Sequence, residues 1–293
     1  MSEAGVVTGR PESRSLGRLR RATAGSLLLY AALLVGAILT LTPFLWTLST
    51  SLKTPQTVFS IPPTFIPRPV YWQNYTDALN AAPLFRFLWN SAFLATTITV
   101  LRLATCSMAA YAFGRLRFPG RDTLFLLFLG TMMIPEHVTL IPNFVLMKFL
   151  HFYNTYKALI LPSAFSVFGT FLLRQYFMTL PYELEEAARI DGCSRIGSFV
   201  RIILPLSKPA LATLGVLTFK GIWNWFLWPL VMLNDYKAFP IQVGLAFFQG
   251  QVTVRWGPLM AGTTLAMLPV LIVFFLGQKH FIQSMALAGL GGR

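Results

Sequence analysis

Charge is in short supply in this chain. Only 12% of its 293 residues are Asp, Glu, Lys or Arg, where a soluble globular protein carries about 25%. Acids are the scarcest, with 10 Asp and Glu against 24 Lys and Arg. Two cysteines, Cys106 and Cys193, are too few for a disulfide framework. Three histidines without ligand spacing give no metal site, and the apolar segments lack the clustered His, Asp and Glu that metal or acid–base chemistry needs. There is no internal repeat and no low-complexity stretch. These shortages exclude a soluble enzyme, a disordered tail and a coiled coil.

Apolar surface is what the chain has instead. Hydrophobic residues make up 55%, with 26 Phe and 7 Trp, and the mean hydropathy is +0.61. That is the composition of a polytopic membrane protein. Six segments are long and apolar enough to span a bilayer, at about 24–48, 88–113, 122–142, 156–174, 207–233 and 258–277. The first is too long for a signal-peptide core and has no clear cleavage site, so it reads as an uncleaved anchor. Net charge is +14, which on a soluble protein would point to nucleic acid. Placed on alternate loops, however, 15 of the 24 basic residues fall on the side of the N-terminus and 7 on the other. Arg102 and Lys220 lie within spans. This asymmetry places both termini in the cytoplasm and accounts for the basic excess. The expected architecture is all-α, a six-helix membrane domain over 24–293 with a basic cytoplasmic tail over 1–23.

The loops differ in character. Residues 114–121 form a tight basic turn. The outer loop, about 49–87, is rich in proline and aromatics, and reads as an interfacial loop with one short helix near 74–80. Residues 179–209 hold the most polar stretch between spans. Glu183, Glu185 and Glu186 favour a helix N-terminus, Arg189 its opposite end, and Gly192 a C-terminal stop. Ser194 suits the cap of a second helix, about 195–203, ending before Leu204-Pro205. Ala187 and Ala188 leave a shallow surface suited to a groove in another protein. A solvated amphipathic loop would have the same shape.

The string itself carries more. Glu186-Ala187-Ala188, Gly192, Ile202 and Leu204-Pro205, at that spacing in a cytoplasmic loop before the penultimate span, resemble the EAA motif of binding-protein-dependent ABC importer permeases. Other short motifs agree with the resemblance: Asn90-Ser91, Ala109-Ala110-Tyr111-Ala112, Met133-Ile134-Pro135, Asn154-Thr155-Tyr156 and Trp223-Asn224. Together they are similar to the carbohydrate-uptake branch, in particular its smaller six-span permease of the maltose type. The tail lies outside the resemblance.

The resemblance implies a type I ABC importer permease fold and a transport subunit that is not itself an ATPase. It binds no cofactor, since Mg-ATP belongs to two ATP-binding cassette subunits. A second, different permease and an extracytoplasmic solute-binding protein complete the set. Within the coupling loop 179–206, Glu186, Ala187, Ala188, Asp191, Gly192, Ile202, Leu204 and Pro205 would form the contact with the ATPase. Glu183 and Glu185 either share that docking or, more simply, serve as helix-dipole and solubility residues. The outer loop before the last span implies a contact with the binding protein, with Gln249, Gln251 and Trp256 as candidates.

Two groups of residues within spans remain. Arg102 and Lys220 each cost about 2.5–3.5 kcal/mol at mid-depth on insertion scales. They either line the translocation path and favour an anionic solute or are structural charges paired with backbone carbonyls or with the partner permease. Glu136 is about 8 Å from Arg102 in depth at the helical rise, too far for an obvious pair. Trp223, Asn224, Phe226 and Trp228 suit sugar stacking and hydroxyl recognition, but four aromatics in six residues, with Trp225, cannot share one helix face. Three functions follow: sugar import, import of glycerol phosphate or another anionic polyol derivative by the same machinery, and ion-coupled secondary transport. The last calls for inverted repeats, which are not visible.

Overall fold

A computed structural model describes residues 24–249 and 254–290, all helix and connecting loop with no strand among them. Helix α1 (Ala24–Ser51) is apolar along its length. Residues up to Trp46 form one unit and Thr47–Arg293 a second. The second contains α2 (Gln73–Ala81), α3 (Leu84–Arg115), α4 (Arg121–Gly130), α5 (Glu136–Phe149), α6 (Lys157–Ser163) and α7 (Val167–Met178). It continues with α8 (Glu183–Ile190), α9 (Arg195–Ser198), α10 (Leu204–Leu206), α11 (Lys208–Trp223), α12 (Leu227–Met232), α13 (Ile241–Gln249) and α14 (Trp256–Leu290).

Four helices are individually long and apolar enough to cross a membrane, and six spans result if each of two bent pairs counts as one. The third span is one of these bent pairs, Arg121–Met133 with Glu136–Phe149. It breaks at Ile134-Pro135, where both residues are extended and the axis turns by 96°. Proline biases the residue before it away from the helical region and cannot donate to the helix ladder. The fourth span, Lys157–Met178, runs on through a short lapse in helical bonding over 164–166 that separates α6 from α7, and the fifth segment breaks between α11 and α12. The second helix of the coupling loop also runs on past its expected end. A π turn over Phe199–Ile203 carries it into α10, and it then bends 76° into α11. The loop before the last span is partly helical, as α13.

Helix α3 is the axle of the second unit, packing on α7 and α11, while α11 packs on α14 and α14 on α2. Two apolar clusters meet along it. One contains Phe87, Leu94 and Ile98 with Trp223, Trp228 and Met232. The other contains Cys106, Ala110 and Tyr111 with Leu173, Phe177, Ile203 and Leu214. The turn holding Arg102 and Thr105 lies between them. Close approach is needed at Gly244, where a Cβ would sit 2.2 Å from the Phe87 ring.

Short motifs noted in the sequence turn out to be brackets for the outer loops. Asn90 Nδ2 donates to the carbonyls of Lys237 (2.9 Å) and Phe239 (3.0 Å), and Ser91 Oγ accepts from Ile241 N at 2.8 Å. Asn154, at φ 60°, accepts from Asn234 N and Asp235 N through its Oδ1. Buried Asn74 donates to the carbonyls of Ser51 and Lys53. Side-chain amides bonded to backbone thus tie down both connections, Asn74 the proline-rich one after α1 and Asn90 with Asn154 the one over 234–239.

Candidate functional site

Two places gather the residues singled out in the sequence, and the first is the coupling loop. Helix α8 ends as a Schellman motif: Cys193 N donates to Ala188 O at 2.8 Å, Gly192 N to Arg189 O at 3.0 Å, and Gly192 has φ 81°. Ser194 then caps α9, its Oγ accepting from Gly197 N at 3.1 Å. The result is a helix, a glycine turn and a second helix, all at the end of α7. No residue of α8 is buried. Glu186, Ala187, Asp191, Gly192 and Pro205 are exposed, and Ala188, Ile202 and Leu204 partly so. Ile190 and Ile196 are exposed at 87% and 76%, which is costly for two large aliphatic side chains facing water.

What holds this element is a residue read as mere helix-dipole value. Glu185 is the anchor. Its carboxylate is ion-paired with Arg115 Nε and accepts from Tyr111 Oη at 2.9 Å. The Arg115 side chain is fully buried and also donates to the carbonyls of Phe177, Leu180 and Pro181. Its guanidinium lies 3.8 Å from the centre of the Tyr182 ring, while Tyr182 Oη donates to Gly114 O. Arginine suits this place because its planar fork satisfies several acceptors at once. A polar pocket of about 210 Å³ sits behind α8, lined by Tyr111, Arg115, Arg117, Glu185, Glu186 and Arg195 among others. Sequence reasoning saw Arg115 only as part of a basic turn. Nothing local signals a partner 70 positions away.

The second place is an open cavity of about 470 Å³ bordered by α3, α5, α6, α11 and α12. Arg102, Glu136, Asn143, Ser163, Trp225 and Trp228 are among its lining residues. Arg102 Nε donates to Ser163 O at 2.9 Å, Thr105 Oγ1 to Ala164 O at 2.5 Å and Cys106 Sγ to Ser166 O at 3.3 Å. Arg102 and Thr105, one turn apart on α3, satisfy carbonyls freed where α6 stops, while the Ser166 carbonyl reached by Cys106 also accepts from Thr170 N at the start of α7. A cation at the negative end of a helix is favourably placed. Arg102 and Glu136 line the same cavity without a direct ion pair.

The other candidate path residues do not reach this cavity. Trp223 is buried, stacks on Phe219 and donates from Nε1 to Ala266 O at 3.0 Å, a packing role between α11 and α14. Lys220 and Phe226 are exposed away from it. Asn224 accepts from Gln242 Nε2 at 3.2 Å. Of the proposed set only Arg102 and Trp228 line the cavity, and Trp228 Nε1 is held by Ala158 O. The helix break at 224–226 explains the difference, since it rotates the aromatic run onto several faces. In the outer loop, Trp256 is 40% exposed and packs edge-on against Phe59. Gln249 ends α13, and Gln251 lies outside the described residues. No group of three metal-ligating residues occurs among the described residues.

Known proteins match this arrangement. The family of binding-protein-dependent transport system inner membrane components matches residues 107–287. An arabinooligosaccharides transport system permease of Bacillus subtilis is 37% identical over 227 residues, covering 77% of this chain and 81% of the relative. An sn-glycerol-3-phosphate transport system permease of Yersinia enterocolitica is 36% identical over 265 residues, covering 87% and 94%. A crystal structure of a bacterial ABC transporter involved in import of the acidic polysaccharide alginate contains a chain of the same fold. Its TM-score is 0.79 at 24% identity, over 89% of this chain and 98% of that one. The chain therefore belongs to the binding-protein-dependent transport system inner membrane components, the permease subunits of ABC importers.

Proposed function

We propose that this chain forms one half of the translocation path of an ATP-driven importer for a sugar. It pairs with a different permease, two ATP-binding cassette subunits that carry Mg-ATP, and an extracytoplasmic solute-binding protein. Both termini lie in the cytoplasm, with residues 1–23 as a basic tail and 24–293 as the membrane domain. The single observation that carries the reading is the coupling element. Helix α8 presents an exposed face with Glu186 and Ala187, beside the exposed Ile190 and Ile196, while Glu185 clamps the same helix to the end of α3. One face is free for a partner, and the other is locked to a membrane helix. ATP-driven closure of the partner pair would therefore move α3 through α8, by a ligand that binds the two states unequally.

The sugar assignment draws support from the arabinooligosaccharide permease, and the cavity offers two indole rings and the Asn143 amide, groups suited to hydroxylated rings. The glycerol-phosphate permease supports a second reading, in which the same machinery carries an anionic polyol derivative.

Co-purification tests the coupling. The wild-type importer is expected to retain its ATPase subunit through purification. The double variant Glu186→Ala, Gly192→Pro is expected to lose it while the chain still reaches the membrane. Retention of a fully active ATPase by that variant would overturn the assignment of α8.

A further inference from the structure

The 470 Å³ cavity contains two formal charges of opposite sign and no others among its lining residues. Arg102 is fixed: Nε is bonded to the Ser163 carbonyl, and the guanidinium faces the end of α6. Glu136 opens α5 immediately after the 96° bend at Pro135, and its side chain is exposed. No described residue forms an ion pair with it. An exposed carboxylate in the first turn of a helix is favoured by the dipole, but in an apolar span it still costs several kcal/mol unless water or a solute meets it. Asn143 lies on the same helix seven positions on, and Trp225 and Trp228 supply ring faces and edges. The lining is thus net neutral, rich in hydrogen-bonding groups, and aromatic.

We propose that this cavity is a solute subsite contributed by this chain, that it accepts an uncharged polyhydroxylated ring, and that Glu136 is the residue that turns away anions. The inference rests on reading the chain as an importer permease and adds the charge class of its cargo. Arg102 alone would attract a phosphate. Glu136 acts electrostatically on Arg102 across the same cavity and offsets that field, so an entering phosphate meets no net positive charge and a carboxylate that no hydrogen bond to Arg102 covers. At an effective dielectric of about 20, a unit charge about 8 Å away alters binding of an anion by on the order of tenfold or more. A neutral sugar has no net charge to repel, and carboxylate and amide oxygens accept hydrogen bonds from its hydroxyls.

The test uses the assembled importer in detergent without its solute-binding protein, so that receptor selectivity does not enter. Saturation-transfer NMR and competition titrations with arabinotriose and sn-glycerol 3-phosphate give an affinity ratio for the two probes. Wild type is expected to favour arabinotriose. Glu136→Gln, which leaves the cavity positive, is expected to strengthen glycerol phosphate binding on the order of tenfold while changing arabinotriose by less than about threefold. Asn143→Asp, which makes the cavity negative, is expected to move the ratio the opposite way, and remains informative if the first variant fails to assemble. An unchanged ratio in both variants overturns the inference. So does a wild-type importer that binds neither probe yet takes up sugar with ATP and receptor, an outcome that leaves the importer reading intact. Failure of sugar uptake by the complete wild-type system, with the receptor loaded, would instead count against the functional reading itself.

Discussion

At the scale of single residues, one ion pair decides how the coupling loop is held. Arg115 is buried, and Glu185 is nearly so, with 13% of its side chain exposed. Removing one partner of a buried pair strands the other, at a cost of about 3–5 kcal/mol. Glu185→Ala is expected to destabilise the purified permease by about that amount, read as a lower midpoint in SDS titration. Glu183→Ala, at an exposed position of the same helix, is expected to shift the midpoint by less than about 0.5 kcal/mol. Arg115→Lys is expected to recover little, since an ammonium cannot reach three carbonyls and a carboxylate in one plane. Neither residue of the pair announces itself in sequence: Glu185 is one of three acids in the first turn of α8, and Arg115 one of several arginines before Pro119.

At the scale of elements, glycines mark where helices turn or touch. Gly192 sits at φ 81° with open space around the position of a Cβ. Gly192→Ala therefore meets no neighbour and costs only the left-handed backbone, about 1–2 kcal/mol. We expect a weaker glycine turn, with ATP-driven uptake reduced at unchanged membrane abundance. Gly244 is the opposite case: its backbone is ordinary, but a Cβ would sit 2.2 Å from the Phe87 ring. Gly244→Ala is expected to cost about 1–3 kcal/mol through overpacking of α13 on α3. Gly130→Ala, with nothing within 4 Å, is expected to be neutral or slightly stabilising. The same midpoint titration ranks the three. The glycine turn and the Ser194 cap were legible in sequence because they are local, each depending on residues within three or four positions. Pro205 and Pro209 flank the bend beyond Leu206 and mark a break there, but the π turn before it and the 76° angle are carried by no local period.

At the scale of the whole molecule, the distribution of charge predicts sidedness, and burial predicts reactivity. Cys193 is partly exposed beside the glycine turn, and Cys106 is 1% exposed. A membrane-impermeant maleimide is expected to label Cys193 in inverted vesicles and not in sealed right-side-out cells, with Cys106 unlabelled in both. Labelling of Cys193 from outside would reverse the topology. Much of this molecule is determined by its sequence alone: an all-helical membrane protein of the importer-permease family follows from composition and a few short strings, and basic-residue placement sets the sidedness that the labelling experiment tests. Those are properties that each segment carries by itself, because transfer into a bilayer and helix capping are local free energies. Only the tertiary structure decided that Glu185 rather than Glu186 is clamped to α3, that Trp223 packs while Trp225 and Trp228 face a cavity, and that Arg102 shares that cavity with Glu136. Those outcomes depend on helix breaks that redirect whole faces, and on contacts between residues tens of positions apart, which no local period encodes.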